Sequence, residues 1–120
     1  MSQITKEDFA AFVAERTLPN FDIFFTANAL VGEVGEVANV IKKEVFYERF
    51  DKYREKVDKR IEEGTAVPQR EQFVDEGGDA LFYLVQLFNK RGVTLDEVMA
   101  YQINKMNTAT IENGDKVYKK

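Results

Sequence analysis

The placement of helix breakers constrains this chain most. Only two prolines occur among 120 residues, Pro19 and Pro68, and each stands where a helical pattern begins. Proline is tolerated in the first turn of a helix and breaks its interior, so the segments between and beyond these two are free to run as long helices. Thr5, followed by Lys6-Glu7-Asp8, reads as an N-cap with an acidic first turn. Phe9, Phe12 and Val13 then supply a spacing of three and four, which predicts a short helix over about 5–16. A second helical pattern starts near Asp22 and runs to Glu63, where Gly64 is a ready C-cap. An unbroken helix of that length is unusual, and a break is expected between Lys42 and Tyr47. Thr65 to Pro68 supplies a cap and a first-turn proline for a third helix ending at Lys90, with Gly92 just beyond. Its centre, Ala80 to Phe88, is apolar almost all round. Periodicity alone would also allow a buried strand, but the polar first turn and the glycine stop predict a buried central helix. Thr94-Leu95-Asp96-Glu97 has capping-box spacing and opens a fourth helix through Val98, Met99 and Ile103 to about Thr108. No hairpin is expected, and the polar tail over about 111–120 reads as loose. The expectation is an all-α protein, one helical domain over 1–120.

The second pattern has two unlike halves. Phe24 to Ile41 is dense in apolar residues, whereas 15 of the 22 residues from Lys42 to Glu63 are charged, eight basic and seven acidic. Phe46, Phe50, Tyr53, Val57 and Ile61 recur at helical spacing, and Glu48–Lys52 and Glu55–Lys59 add i,i+4 support. This half reads as an amphipathic helix with a solvated charged face.

Absences exclude several chemistries. The chain has no His and no Cys, so thiol catalysis, disulfides, structural zinc and Ser-His-Asp triads are ruled out, and any metal must be held by oxygen. A net charge of −4 argues against stable nucleic-acid binding, whose footprint is positive. The N-terminal stretch lacks a signal-peptide apolar core, and no run approaches a membrane span. A cytoplasmic protein is expected.

The informative anomaly is a set of acids where a core should be. Leu30, Val34, Val37 and Ile41 define the expected buried stripe of the second helix; Glu33 falls on it and Glu36 borders it. On the third helix Glu76 and Asp79 are three apart, with Phe73, Ala80 and Tyr83 around them. Residues at i and i+3 share a helix face, so each helix presents a carboxylate pair. Ionised carboxylates taken out of water without partners cost several kcal/mol each, and four together repel one another. Basic side chains, protons or divalent cations must relieve them. No Lys or Arg is interleaved with the four, although Lys42, Lys43 or Lys105 could reach in. Oxygen-only ligation suits Mg²⁺, with Mn²⁺ as a substitute, and Mg²⁺ commonly brings substrate phosphates with it. Gly32, Gly35, Gly77 and Gly78 in the same turns suggest a close approach of helix backbones or of a ligand.

The segments Ala29–Lys43 (ALVGEVGEVANVIKK) and Asp75–Val98 (DEGGDALFYLVQLFNKRGVTLDEV) resemble the MazG-like branch of the all-α nucleotide pyrophosphohydrolases, especially the small phage and bacterial members. That family carries an ExxE on one helix and an ExxD on the next, here Glu33/Glu36 and Glu76/Asp79. The resemblance implies a four- to five-helix bundle protomer assembled as a dimer or a dimer of dimers. It implies Mg²⁺-dependent hydrolysis of a nucleoside triphosphate to monophosphate and pyrophosphate, with the four carboxylates as metal ligands and catalytic groups. Tyr83 matches a position near the nucleotide, and Lys105 a lysine that meets phosphate oxygens. Gln102 stands where the family usually has Asn. The stretch between the motifs is longer than usual and the family's arginine-rich ending is missing, so Lys42 or Lys43 would substitute as phosphate ligands. Phe21, Phe24 and Phe25 are candidates for stacking on a base, or for plain packing, and Asn28 for hydrogen bonding to a base edge. The phage-like wording points to a purine deoxynucleotide, dGTP first. Alternatives are a dUTP, dCTP or phosphoribosyl-ATP pyrophosphatase of the same fold. From another class comes a non-catalytic helical interaction module gripping a partner helix with the Phe46–Ile61 stripe.

Overall fold

A computed structural model describes residues 3–112 and 115–118, with side chains over 3–108. Five helices follow in order, α1 (Lys6–Arg16), α2 (Ile23–Arg49), α3 (Asp51–Glu62), α4 (Gln69–Lys90) and α5 (Leu95–Asn107). Two short strands, β1 (Ala109–Glu112) and β2 (Asp115–Tyr118), close the chain. The body is all-α, and the chain divides into two compact units, one of residues 18–84 and one of residues 1–17 with 85–120.

Helix ends are set by local chemistry. Thr5 Oγ1 accepts from Asp8 N at 3.1 Å while Asp8 Oδ2 accepts from Thr5 N at 3.2 Å, a reciprocal capping box that starts α1. Thr94 Oγ1 accepts from Glu97 N at 3.1 Å at the start of α5. Two glycines end helices in the left-handed region that favours them, Gly64 at φ 77° and Gly92 at φ 67°. Behind Gly64 the Thr65 N–H donates to Arg60 O at 2.9 Å, and behind Gly92 the Val93 N–H donates to Phe88 O at 3.0 Å. Both are Schellman endings that satisfy the last carbonyls. Pro68 lies just outside α4, its carbonyl accepting from Gln72 N at 3.1 Å, one residue earlier than the first-turn position expected for it.

The break in the long helix falls at Phe50, beyond the interval Lys42–Tyr47 in which it was expected. Phe50 is extended (φ −122°, ψ 107°), a backbone open to any residue. The carbonyls orphaned by the break are met by a side chain further on: Arg54 Nη1 donates to Tyr47 O at 3.2 Å and to Glu48 O at 3.4 Å, and Arg54 also pairs with Asp51. Tyr47 Oη donates to Asp58 Oδ1 at 2.6 Å, and Phe46 stands edge-on to both Phe50 and Tyr53. These contacts fold α3 back beside α2.

In the 18–84 unit, Thr26 and Val40 are buried and Ala29, Leu30, Glu33 and Val37 half-buried, so the inner face of α2 runs through 26, 30, 33, 37 and 40. Val34 and Ile41, expected on the buried stripe, are exposed instead. At 100° per residue the covered face is the narrow line through 26, 30, 33, 37 and 40, and Val34 and Ile41 lie on its flank, roughly 60–80° round the helix. In the other unit the core is Val13 and Val85, with Gln86 only 1% exposed. Gln86 Nε2 donates to Thr17 Oγ1 at 2.7 Å, and Thr17 Oγ1 donates to Val13 O at 2.7 Å, so this buried polar group is satisfied. Only Val85 and Gln86 of the apolar run Ala80–Phe88 are fully buried, and Leu81 is exposed.

The tail departs from expectation. β1 and β2 pair antiparallel, Ala109 opposite Tyr118 and Glu112 opposite Asp115, where no hairpin was expected. The two strands flank the dipeptide Asn113-Gly114, which two-residue hairpin connections favour, and that signal outweighs the polarity of the segment. The expected looseness at 113–114 and 119–120 lies outside the described residues.

Candidate metal centre

The carboxylates of interest are carried by α2 and by the part of α4 that belongs to the 18–84 unit. Glu33 occupies the inner face of α2 between Leu30 and Val37, and Glu76 occupies the matching face of α4 between Gln72 and Ala80; both are half-buried. Asp79, one turn beyond Glu76, is exposed. Glu33, Glu76 and Asp79 each bring a carboxylate oxygen within 4.8 Å of the other two. Glu36 is exposed and stands outside this group of three, yet close enough for its charge to act on both Glu33 and Glu76.

Electrostatics make the cluster costly. Partial burial, then the charges of Asp79, Glu36 and Asp75, push the Glu33 carboxyl above the ordinary glutamate value. Partial burial, then Asp75, Asp79, Glu36 and Glu33, does the same to Glu76. Among the described residues none of Glu33, Glu36, Glu76 and Asp79 forms an ion pair with Lys or Arg. Of the remedies for crowded acids, cationic side chains are therefore not in use, which leaves protons or a cation from solution. Three converging carboxylates with no nitrogen or sulfur donor fit a hard divalent cation. Asp75 is the member of this neighbourhood that reading the sequence missed. It is adjacent to Glu76 and one helical turn before Asp79 in DEGGD, and that spacing was its signal.

The remaining expected site residues are spread out. Asn28 Nδ2 donates to its own helix at Phe24 O, 3.0 Å away, so its amide donor is engaged locally. Phe24 is 76% exposed, whereas Phe25, also exposed, packs its ring on Phe21 at 4.3 Å. Tyr83 is half-buried one turn beyond Asp79 and stands edge-on to Phe82. Lys42 lies 5.8 Å from the centre of the Phe46 ring, and Lys43 lines a separate cavity with residues of α3. Gln102 is exposed and Lys105 half-buried on α5, in the other unit. The glycines do not mediate a close approach of helices within the chain. A Cβ built on Gly32, Gly35, Gly77 or Gly78 meets nothing within 4 Å, so the backbone-contact reading is corrected to one of open space.

A helical protein presenting an unpaired acid cluster between two helices is the class that fold and site define. A family model, the MazG nucleotide pyrophosphohydrolase domain, matches residues 25–110, and the chain belongs to that family. The match contains all four motif carboxylates and supports nucleotide pyrophosphohydrolase activity in general. No curated protein and no solved structure matches the chain. No described helix is long and apolar enough to cross a membrane.

Proposed function

We propose that this protein is a metal-dependent pyrophosphohydrolase that converts a nucleoside triphosphate, with dGTP the first candidate, to the monophosphate and pyrophosphate. The observation that carries this reading is the convergence of Glu33, Glu76 and Asp79 within 4.8 Å with no cationic partner among the described residues. In this reading those three residues and Glu36 hold Mg²⁺, for which Mn²⁺ substitutes. When bound, the cation offsets triphosphate charge and makes a water more acidic. One of the four carboxylates also orients the attacking water. Lys42, Lys43 and Lys105 are the candidate phosphate ligands, and Tyr83, Asn28, Phe24 and Gln102 the candidate nucleotide contacts. With one Nδ2 hydrogen on Phe24 O, Asn28 keeps its Oδ1 and second N–H for a base edge.

We assign residues 1–120 to one MazG-like domain, because the family match spans both compact units. The proposed working form is a homodimer or homotetramer in the cytoplasm. Val31, 72% exposed, and Val34, 53% exposed, lie beside Gly32 and Gly35 on α2, and Phe73 and Val74 are exposed on α4. Apolar surface of this kind fits contact with another copy. The lean to dGTP rests on the phage-like wording of the motifs, and dUTP, dCTP or phosphoribosyl-ATP are the alternatives.

The test is pyrophosphate release from the eight common NTPs and dNTPs with Mg²⁺, Mn²⁺ or EDTA. Metal-dependent release from one or two of them is expected. Silence across the panel, with phosphoribosyl-ATP included and no metal bound, would overturn the reading in favour of a helical interaction module.

A further inference from the structure

The charged helix α3 and the loop after it have no part in the carboxylate cluster. With the second half of α2 and the first turn of α4 they line an open cavity of about 460 Å³, within the size range of small-molecule sites. Its polar lining is Lys43, Tyr53, Arg60, Thr65, Gln69 and Gln72, and Val57 and Val67 form apolar wall. Among the described residues no carboxylate lines it, although seven of the 22 residues from Lys42 to Glu63 are acidic. The charges that line it are Lys43 and Arg60, both positive.

The frame of the cavity is held by its own hydrogen bonds. Thr65 Oγ1 donates to Arg60 O at 3.2 Å, and Gln72 Nε2 donates to Val67 O at 2.9 Å. The charged groups take no part in that frame. Among the described residues neither Lys43 nor Arg60 has an ion pair, and neither charged head nor the Tyr53 hydroxyl has a hydrogen-bond partner. Lys43 and Arg60 are exposed to solvent on the same cavity wall, so both heads are available to an anion, and a single carboxylate would match only one of them. A phosphate group carries enough charge and acceptor oxygens for both, with Arg binding through its planar fork and Lys as a point charge. The Tyr53 hydroxyl and the Gln69 amide add donors, and the apolar wall has room for an organic portion.

We propose that this cavity binds a phosphate-bearing small molecule, a nucleotide or pyrophosphate, with its phosphate oxygens on Lys43 and Arg60. The choice of nucleotide rests on the hydrolase reading; the phosphate chemistry does not. The ligand has two sources. Gln72 precedes Glu76 by one turn and Lys43 follows Glu36 by two, roughly 6 Å and 10 Å along the helices, so the substrate's own phosphates could extend here. A separate nucleotide or released pyrophosphate is the other source.

The test is equilibrium dialysis of labelled pyrophosphate, and separately of dGTP, against the full chain in EDTA, where the carboxylate cluster repels polyphosphate. Saturable binding of either probe is expected, weakened at least tenfold by Arg60→Gln and by Lys43→Gln, restored by Lys43→Arg, and not weakened by Glu76→Gln. Circular dichroism checks that each variant keeps its helices. Absence of saturable binding in EDTA, or equal binding by wild type and both neutral variants, overturns the proposal. Because the assay contains no divalent cation and no turnover, it fails independently of the hydrolase reading. With Mg²⁺ present, a raised KM in Arg60→Gln identifies the substrate's own phosphates as the occupant. An unchanged KM identifies a separate phosphate ligand.

Discussion

Two stretches of α4 put polar side chains to opposite uses. In the second half of the helix, Gln86 is buried and bonded to Thr17, and Asn89 Nδ2 donates to Ala10 O at 3.1 Å. Each polar group there is matched, and each such bond stabilises by about 0.5–1.5 kcal/mol net. In the first half, Glu76 and Asp79 face Glu33 with no cationic partner among the described residues, and the Glu76 carboxyl is pushed up by burial and by its neighbours' charge. That arrangement works against the metal-free fold. Polarity that holds the chain together is satisfied internally; polarity left unsatisfied at a cost is available to a ligand.

The largest effect expected from this contrast is on turnover. Asp79→Asn and Glu36→Gln should each lower pyrophosphate release by more than about 100-fold, since outer-shell changes at metal sites already cost 10–100-fold. Circular dichroism should show the helices intact. Wild-type rates in both variants would remove the carboxylates from catalysis. Gln86→Ala should do the converse. Truncating a fully buried, bonded side chain should cost about 2–3 kcal/mol in denaturant unfolding, with the rate per folded molecule unchanged.

A pH series sharpens the comparison. With Glu33 and Glu76 raised above the ordinary glutamate value, the folded chain binds more protons than the unfolded one between the ordinary and raised values. Stability contributed by these groups therefore falls as pH rises through that interval. In EDTA, Glu76→Gln should melt above wild type at neutral pH, and the gap should close as the pH falls through the carboxylate range. A gap that widens on acidification would mean that the cluster is internally compensated. The smallest effect belongs to Gly78→Ala. A Cβ there meets nothing within 4 Å, so the helix should gain about 0.5–1 kcal/mol, read as a higher urea midpoint. A loss instead would mean that something outside the single chain packs against that turn.

How much of this was legible in the sequence depends on the range of the interactions. Helix starts at Thr5 and Thr94 and helix ends at Gly64 and Gly92 are written in residues within one turn of each boundary, and they fell where expected. The break at Phe50 was misplaced because its support comes from Arg54 and Asp58, further along the chain, and its backbone angles select no residue type. The carboxylate cluster was legible through i,i+3 spacing on apolar faces. Asp75 carried the same one-turn spacing signal in DEGGD and was overlooked, whereas the place of Glu36 outside the tight group depends on how α2 and α4 face each other and was not legible. Val34 and Ile41 were misread as core because apolar spacing marks a face that is covered by something without saying what covers it. The Lys43–Arg60 cavity draws on three segments, and no spacing rule joins them.

The most direct test of the central claim is the thermal midpoint of wild type and Asp79→Asn measured with rising Mg²⁺. A cation bound only by the folded cluster stabilises by RT ln(1 + [L]/Kd), about 2.7 kcal/mol at a hundred times Kd. The account predicts a midpoint that climbs with Mg²⁺ in wild type and is flat in Asp79→Asn. A flat wild-type response, or an equal climb in both proteins, would contradict it.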